Sequence, residues 1–167
     1  MALAIERVTE RIKETFGEDI LDVTMNYDIM TYTLKRERII EVIQFLFDDA
    51  EMRFKFLTTM CGIHFPNEKN QLGVIYQLHN MVDNVRIRLK IFFPLEDPVV
   101  PTLTNIYPCS NWMEREAFDF FGIKFSGHPK MTRIYNVDEM DYHPLRKEYA
   151  LEDATREDKD DSMFGRA

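Results

Sequence analysis

Residues 111–149 read NWMEREAFDFFGIKFSGHPKMTRIYNVDEMDYHPLRKEY. Asn111 is of the type that caps a helix N-terminus, and Glu114 stands three residues on, where a capping-box acid belongs. Gly122 follows the last apolar residue and fits a helix stop. Between them Met113, Ala117, Phe120 and Phe121 form one apolar stripe, and Glu114, Arg115, Glu116 and Asp119 lie off it. Arg115 and Asp119 are four apart and can pair. By composition alone this polar set is a solvated helix face. The two rigid turns that follow, Gly127-His128-Pro129 and His143-Pro144-Leu145-Arg146, argue for more. Turns of this kind hold side chains in fixed directions, as a docking or catalytic surface requires.

The segment EREAFDFFGIKFSGHPKMTRI resembles the signature of a known family: the C-type (30 kDa-type) component of the proton-pumping NADH-quinone oxidoreductase, respiratory complex I. HPLRKEY resembles a second block of that family, as do LTNIYPCSNW and the helix-strand pattern of residues 34–60. The likeness covers residues 34–150, with two departures: Thr132 stands where a basic residue or proline is usual, and Ala150 where a proline often follows. The resemblance implies a non-catalytic structural subunit of the hydrophilic arm, peripheral on the cytoplasmic face of the inner membrane. It implies packing against the hydrogenase-large-subunit-like component of the same complex, with NADH, FMN, iron–sulfur clusters and quinone all held by other subunits. Within the family, the equivalent subunit of a membrane-bound hydrogenase or of a ferredoxin- or F420-dependent oxidoreductase is an alternative. The residues it marks as signature and partner interface are Glu114, Arg115, Glu116, Asp119, Gly122, Gly127, His128, Pro129, Arg133, His143, Pro144, Arg146 and Lys147.

The rest of the chain is consistent with a single scaffold. Its 167 residues suffice for one domain with a real core, and a net charge of −8 argues against nucleic acid and acidic membrane surfaces. Cys61 and Cys109 stand far apart without a C-x-x-C, which predicts buried thiols in a reducing compartment. No apolar run is long enough to span a membrane, and MALAIERVTE is too short and charged for an export signal.

Periodicity predicts a helix over residues 3–16, short strands on either side of Asn26-Tyr27-Asp28, and a helix over 37–48 with Ile39, Val42, Ile43 and Leu46 inward. Asp48 and Asp49 carry the wrong sign for a helix C-terminus and are expected in the loop. Strands are expected from Phe54, over Leu72–Leu78 and over Val85–Phe93, the last two joined by a hairpin at residues 80–84. On the last strand Arg86, Arg88 and Lys90 oppose the apolar face, a solvated face or a match for a partner's acidic patch. Pro94, Pro98 and Pro101 then impose an extended crossing, and residues 102–107 one helical turn. The fold class expected is α+β: a mixed or mainly antiparallel sheet of four to six strands, with two or three helices on one face. Residues 1–142 would form the domain. Residues 143–167, with six acids from Glu152 onward, would be an extended C-terminal tail that orders on a partner.

Chemistry is sparse. Glycine-rich phosphate loops are missing, two cysteines cannot hold an iron–sulfur cluster, and the four histidines have no paired metal spacing. Glu114, Glu116, Asp119 and His128 are the one set capable of acid–base work, which leaves an independent enzyme as a further alternative.

Overall fold

In a computed structural model, residues 5–149 are described. The element order is α1 (Ile5–Phe16), β1 (Ile20–Asn26), β2 (Ile29–Leu34), α2 (Ile39–Asp48), β3 (Phe56–His64), β4 (Leu72–Asn80), β5 (Val85–Phe93), β6 (Val99–Pro101), α3 (Ser110–Phe121) and β7 (Lys124–Ser126). The α+β class stands: a five-stranded sheet in the order β1-β2-β5-β4-β3, plus a small parallel pair of β6 and β7. All ladders of the large sheet are antiparallel except β2 with β5, so the sheet is mixed.

The alternation seen in β4 and β5 becomes the core. Leu72, Val74, Tyr76 and Leu78 on β4, and Ile87, Leu89, Ile91 and Phe93 on β5, are buried on one face. They meet Val8, Ile12 and Phe16 of α1 and the expected Ile39, Val42, Ile43 and Leu46 of α2. The Thr9 and Tyr32 hydroxyls, 2.7 Å apart, seat α1 over that same face. Tyr27 and Asp28 carry φ of 50° and 62°, the paired left-handed conformation of a two-residue hairpin turn. The β4–β5 hairpin is closed by buried Asn80, whose side-chain oxygen accepts the amides of Val82 and Asp83.

Some boundaries move. Asp48 belongs to the last turn of α2, where it accepts a hydrogen bond from Gln44. Asp49 caps the helix end, takes the Glu51 and Met52 amides, and pairs with Arg11 of α1 at 2.9 Å. A local cation therefore offsets the unfavourable dipole sign. Phe54 is fully buried but precedes its strand, which starts at Phe56. Both cysteines are exposed, not buried: Cys61 alternates away from buried Met60 and Gly62 on an edge strand, and Cys109 sits in the turn before α3.

Helix α3 packs along edge strand β3, and Gly62 is what allows the approach. A Cβ there would lie 2.6 Å from Phe121 Cδ2 and 3.1 Å from Ile123 Cδ1. Gly62→Val is therefore expected to lower the melting temperature by on the order of 5 °C, an overpacking cost of about 1–3 kcal/mol. Gly17→Ala, whose new methyl meets nothing within 4 Å, is the matched control and leaves the melt unchanged or higher in scanning calorimetry.

Candidate functional site

The polar residues of α3 are not a solvated face. Glu114 and Asp119 are fully buried. The helix starts at Ser110, one residue before the expected cap, and Cys109 supplies no side-chain cap. Glu114 therefore makes no capping box. It turns inward, accepts the Thr102 hydroxyl at 2.6 Å and the Leu103 amide at 2.7 Å, and so ties α3 to the proline-rich crossing. Burial pushes its carboxyl up, with those two donors pulling the other way.

Asp119 is the hub. Its Oδ2 accepts three successive backbone amides, Ile134 at 3.0 Å, Tyr135 at 2.8 Å and Asn136 at 3.0 Å. Its Oδ1 accepts Arg133 Nη1 at 2.7 Å and Asn136 Nδ2 at 3.0 Å. Burial alone would raise this carboxyl; the amides of Asn136, Tyr135 and Ile134 and the Asn136 side chain outweigh it and hold the group well below the usual carboxylate range. Arg133 then spreads the restraint: its other nitrogen donates to the carbonyls of Met140 at 2.7 Å and Tyr142 at 3.2 Å.

Arg115 does not pair with Asp119. It donates to the carbonyls of Thr132 and Arg133, both at 3.0 Å, and its guanidinium lies 4.9 Å from the Trp112 ring centre. Because the contact at residue 132 is a backbone carbonyl, a threonine there costs the network nothing. His128 is held from both nitrogens: Nε2 donates to the Asn111 carbonyl at 3.2 Å and Nδ1 accepts the Lys130 amide at 3.0 Å. Gly127, at φ 82°, makes the turn that presents it, and Pro129 follows exposed. Glu116 stands apart from these bonds. Of the four acid–base candidates, Glu114, Asp119 and His128 are each committed to hydrogen bonds within the fold.

The second His-Pro turn folds onto the same helix end. His143 Nδ1 donates to the Asp119 carbonyl at 3.0 Å, and Arg146 Nε donates to the Phe121 carbonyl at 2.7 Å. Burial, then the nearby Arg146 and Arg133, push the His143 imidazolium down, so the neutral ring is favoured. The Leu145 amide reaches the Phe120 carbonyl, and the Lys147 amide the Nδ1 of buried His64. Residues 143–149, expected to begin an extension ordered on a partner, thus lie against their own domain. The remainder of that tail, from Ala150, is outside the described residues. Gly122 has two reasons to be glycine: its φ is 75°, and a Cβ would meet Arg146 Nη2 at 2.5 Å and His143 Cδ2 at 2.6 Å.

Outside this network sits an exposed group that sequence reading, apart from marking Tyr149 as a partner anchor, passed over. Trp112, Tyr135 and Val137 are each more than 60% exposed, with Tyr142, Leu145 and Tyr149 partly so. Tyr135 stacks on Phe120 at 5.4 Å and Tyr142 meets Tyr149 at 5.0 Å. The available signal was the number of aromatic residues in an otherwise polar stretch.

The family model described as "Respiratory-chain NADH dehydrogenase, 30 Kd subunit" matches residues 32–155, which include all of this network. The chain belongs to this family. It is 40% identical over 152 residues to the C-type subunit of NADH-quinone oxidoreductase from Mycolicibacterium gilvum (strain PYR-GCK), across 87% of this chain and 67% of that protein. It is 43% identical over 123 residues to the same-named protein of a Nocardioides species, across 73% of this chain and 49% of that one. The chain thus spans between half and two thirds of the length of these relatives. Among solved structures it resembles the trypsin-resistant fragment 1–134 of Nqo5, with a TM-score of 0.66 and 29% identity over 75% of this chain and 98% of the fragment. It shares its fold with a chain of an archaeal membrane-bound sulfane sulfur reductase, a respiratory membrane complex, with a TM-score of 0.73 and 20% identity over 87% and 85% of the two chains.

Two substitutions test the network. Asp119→Asn leaves Arg133 without its buried partner and is expected to cost about 3–5 kcal/mol at neutral pH. Because the native carboxyl is depressed, the wild-type contribution is complete above an unfolded-state value of about 4 and is lost as pH falls below it. The variant's stability should therefore fall less steeply than the wild type's on that acid limb, as read by denaturant melts across pH. Gly122→Ala strains a left-handed position by about 1–2 kcal/mol and displaces the docked turn. Trypsin cleavage after Arg146 and Lys147 is expected to accelerate about tenfold.

Proposed function

We propose that this chain is the structural, non-catalytic 30 kDa-type component of a proton-translocating NADH-quinone oxidoreductase, seated peripherally in the hydrophilic arm on the cytoplasmic face of the membrane. Its partner in this reading is the hydrogenase-large-subunit-like component. It holds that neighbour in the geometry needed for electrons to pass from NADH, through FMN and iron–sulfur clusters on other subunits, to quinone. The observation that carries the reading is the family match across residues 32–155, which takes in α3 and both His-Pro turns. The side-chain chemistry agrees. Asp119 spends both oxygens on five internal donors and Glu114 both of its own on Thr102 and Leu103, so neither is free to work on a substrate.

The docking role falls to what this network presents. Polar side chains locked to backbone carbonyls give rigid support, and large, partly exposed aromatic groups such as Trp112, Tyr135 and Tyr142 are of the kind that dominate interface energetics. The signature residues Arg115, Asp119, His128 and Arg133 lie one layer beneath. Attachment to the membrane comes through partners; no helix among the described residues is long and apolar enough to cross one.

Native-gel separation of host membranes carrying a tagged chain tests the reading. The chain is expected in one large band that oxidises NADH with a quinone acceptor, and its deletion abolishes that activity. A small free species with an activity of its own would overturn the proposal; a large band that uses another donor would move the chain to a sister complex. The purified chain is expected to be colourless, and visible absorbance that tracks with protein after metal reconstitution would sink the assignment of all cofactors to other subunits.

A further inference from the structure

The two faces of the large sheet are unlike. One is covered by α1 and α2; the other bears the side chains that alternate outward from the central strand β5, namely Arg86, Arg88, Lys90 and Phe92. Register sets Arg88 between Gln77 of β4 and Thr31 of β2, and Lys90 between Ile75 and Thr33. Rings bracket this basic row. At one end Phe92 meets half-exposed Phe65 at 6.1 Å beside Glu68 and Lys69, around a crevice of about 440 Å³. At the other, Phe56 meets His79 at 6.5 Å, opposite Arg86 in register.

The charges on this face have no ion-pair partner among the described residues. Every other arginine among the described residues is tied to a carboxylate or to backbone carbonyls. Arg86, Arg88 and Lys90 make no hydrogen bond or ion pair with any described residue, and the Nε of Arg88 is buried without an acceptor. In a chain of net charge −8, three neighbouring cations with no ion pair among the described residues are a local reversal of sign. Such a site steers and orients an oppositely charged partner.

We infer that the open sheet face is a second docking surface, distinct from the α3 face, and that its occupant is an acidic protein segment. Carboxylates on that segment pair with Arg86, Arg88 and Lys90, and apolar side chains flanking them seat on Phe92 and Phe56. Guanidinium groups match carboxylates in a two-point geometry. A nucleic acid fits less well: it would need many phosphate contacts, and the chain's overall charge repels it. The inference goes beyond the proposed function and does not require a particular electron donor or complex.

The test is zero-length carbodiimide cross-linking of the native assembly purified through a tag on this chain, followed by peptide mass spectrometry. The expected product joins the Lys90 amine to an Asp or Glu of another chain. Lys90→Arg, which keeps the charge but removes the amine, abolishes that product while other cross-links persist. The charge reversal R86E/R88E/K90E is expected to melt with the wild-type chain and to reduce recovery of the cross-linked partner at least tenfold. Lys90 joined only to carboxylates of its own chain, Lys90 unlinked while other lysines react, or a partner released by nuclease would each overturn the inference. These outcomes are separable from those of the proposed function. An intact NADH-oxidising band with Lys90 unlinked sinks only the sheet face, and a Lys90 cross-link without NADH oxidation sinks only the assignment to that complex.

Discussion

A single buried carboxylate organises the C-terminal third of the described chain. Transferring an ionised Asp out of water costs several kcal/mol even after the protein relaxes. Asp119 meets that cost with three backbone amides, one side-chain amide and one guanidinium. The donors come from residues 133–136, a stretch with no helix or strand to satisfy its amides. Each side answers the other's requirement: the irregular backbone needs acceptors, and the carboxylate needs donors. Arg133 and His143 extend the arrangement, one to the Met140 and Tyr142 carbonyls and the other to the Asp119 carbonyl. A segment without helix or strand of its own is thus fixed by electrostatics anchored on a helix.

This division of labour separates the residues that hold the backbone in place from those it leaves exposed. Hydrogen bonds to backbone carbonyls fix the path of the chain with little regard for side-chain identity at the accepting position, as Arg115 does at Thr132. The donors and the acid are committed to one another; the residues they carry outward, such as Tyr135 and Val137, are exposed. A rigid aromatic display loses little entropy on docking, which favours a permanent contact over a transient one.

What could be read from the sequence follows the range of the interactions involved. Alternation on β4 and β5 and the 3.6-residue stripe of α2 are local, and every residue they placed inward is buried except Val85, which is partly so. The Tyr27-Asp28 turn and the Gly122 stop are also local, and both appear as left-handed positions. Glu114 and Asp119 are different. Whether an acid on a helix is solvated or buried depends on donors that arrive from elsewhere, Thr102 and Leu103 for one and residues 133–136 for the other. The same holds for Asp49, whose partner Arg11 lies on α1, and for the turn at His143, whose acceptor lies on α3. Strand order escaped for the same reason. The parallel pairing of β2 with β5 joins segments more than 50 residues apart, and no spacing along the chain encodes it.

That parallel pairing also determines how charge is distributed. By bringing β5 to the middle of the sheet, it places Arg88 and Lys90 where strands flank them on both sides and where a neighbouring carboxylate on the same face would be the usual remedy. The cross-strand positions beside Arg88 and Lys90 are instead Thr31, Thr33, Ile75 and Gln77, neutral throughout. Yet acids are plentiful elsewhere in the chain and are used to neutralise nearly every other arginine. A sheet face that only needed to be wet would be better served by mixed charge, since like charges in a row repel across a strand. Keeping one sign on the central strand, beside neutral neighbours, leaves these cations to be balanced by charge from beyond the described residues.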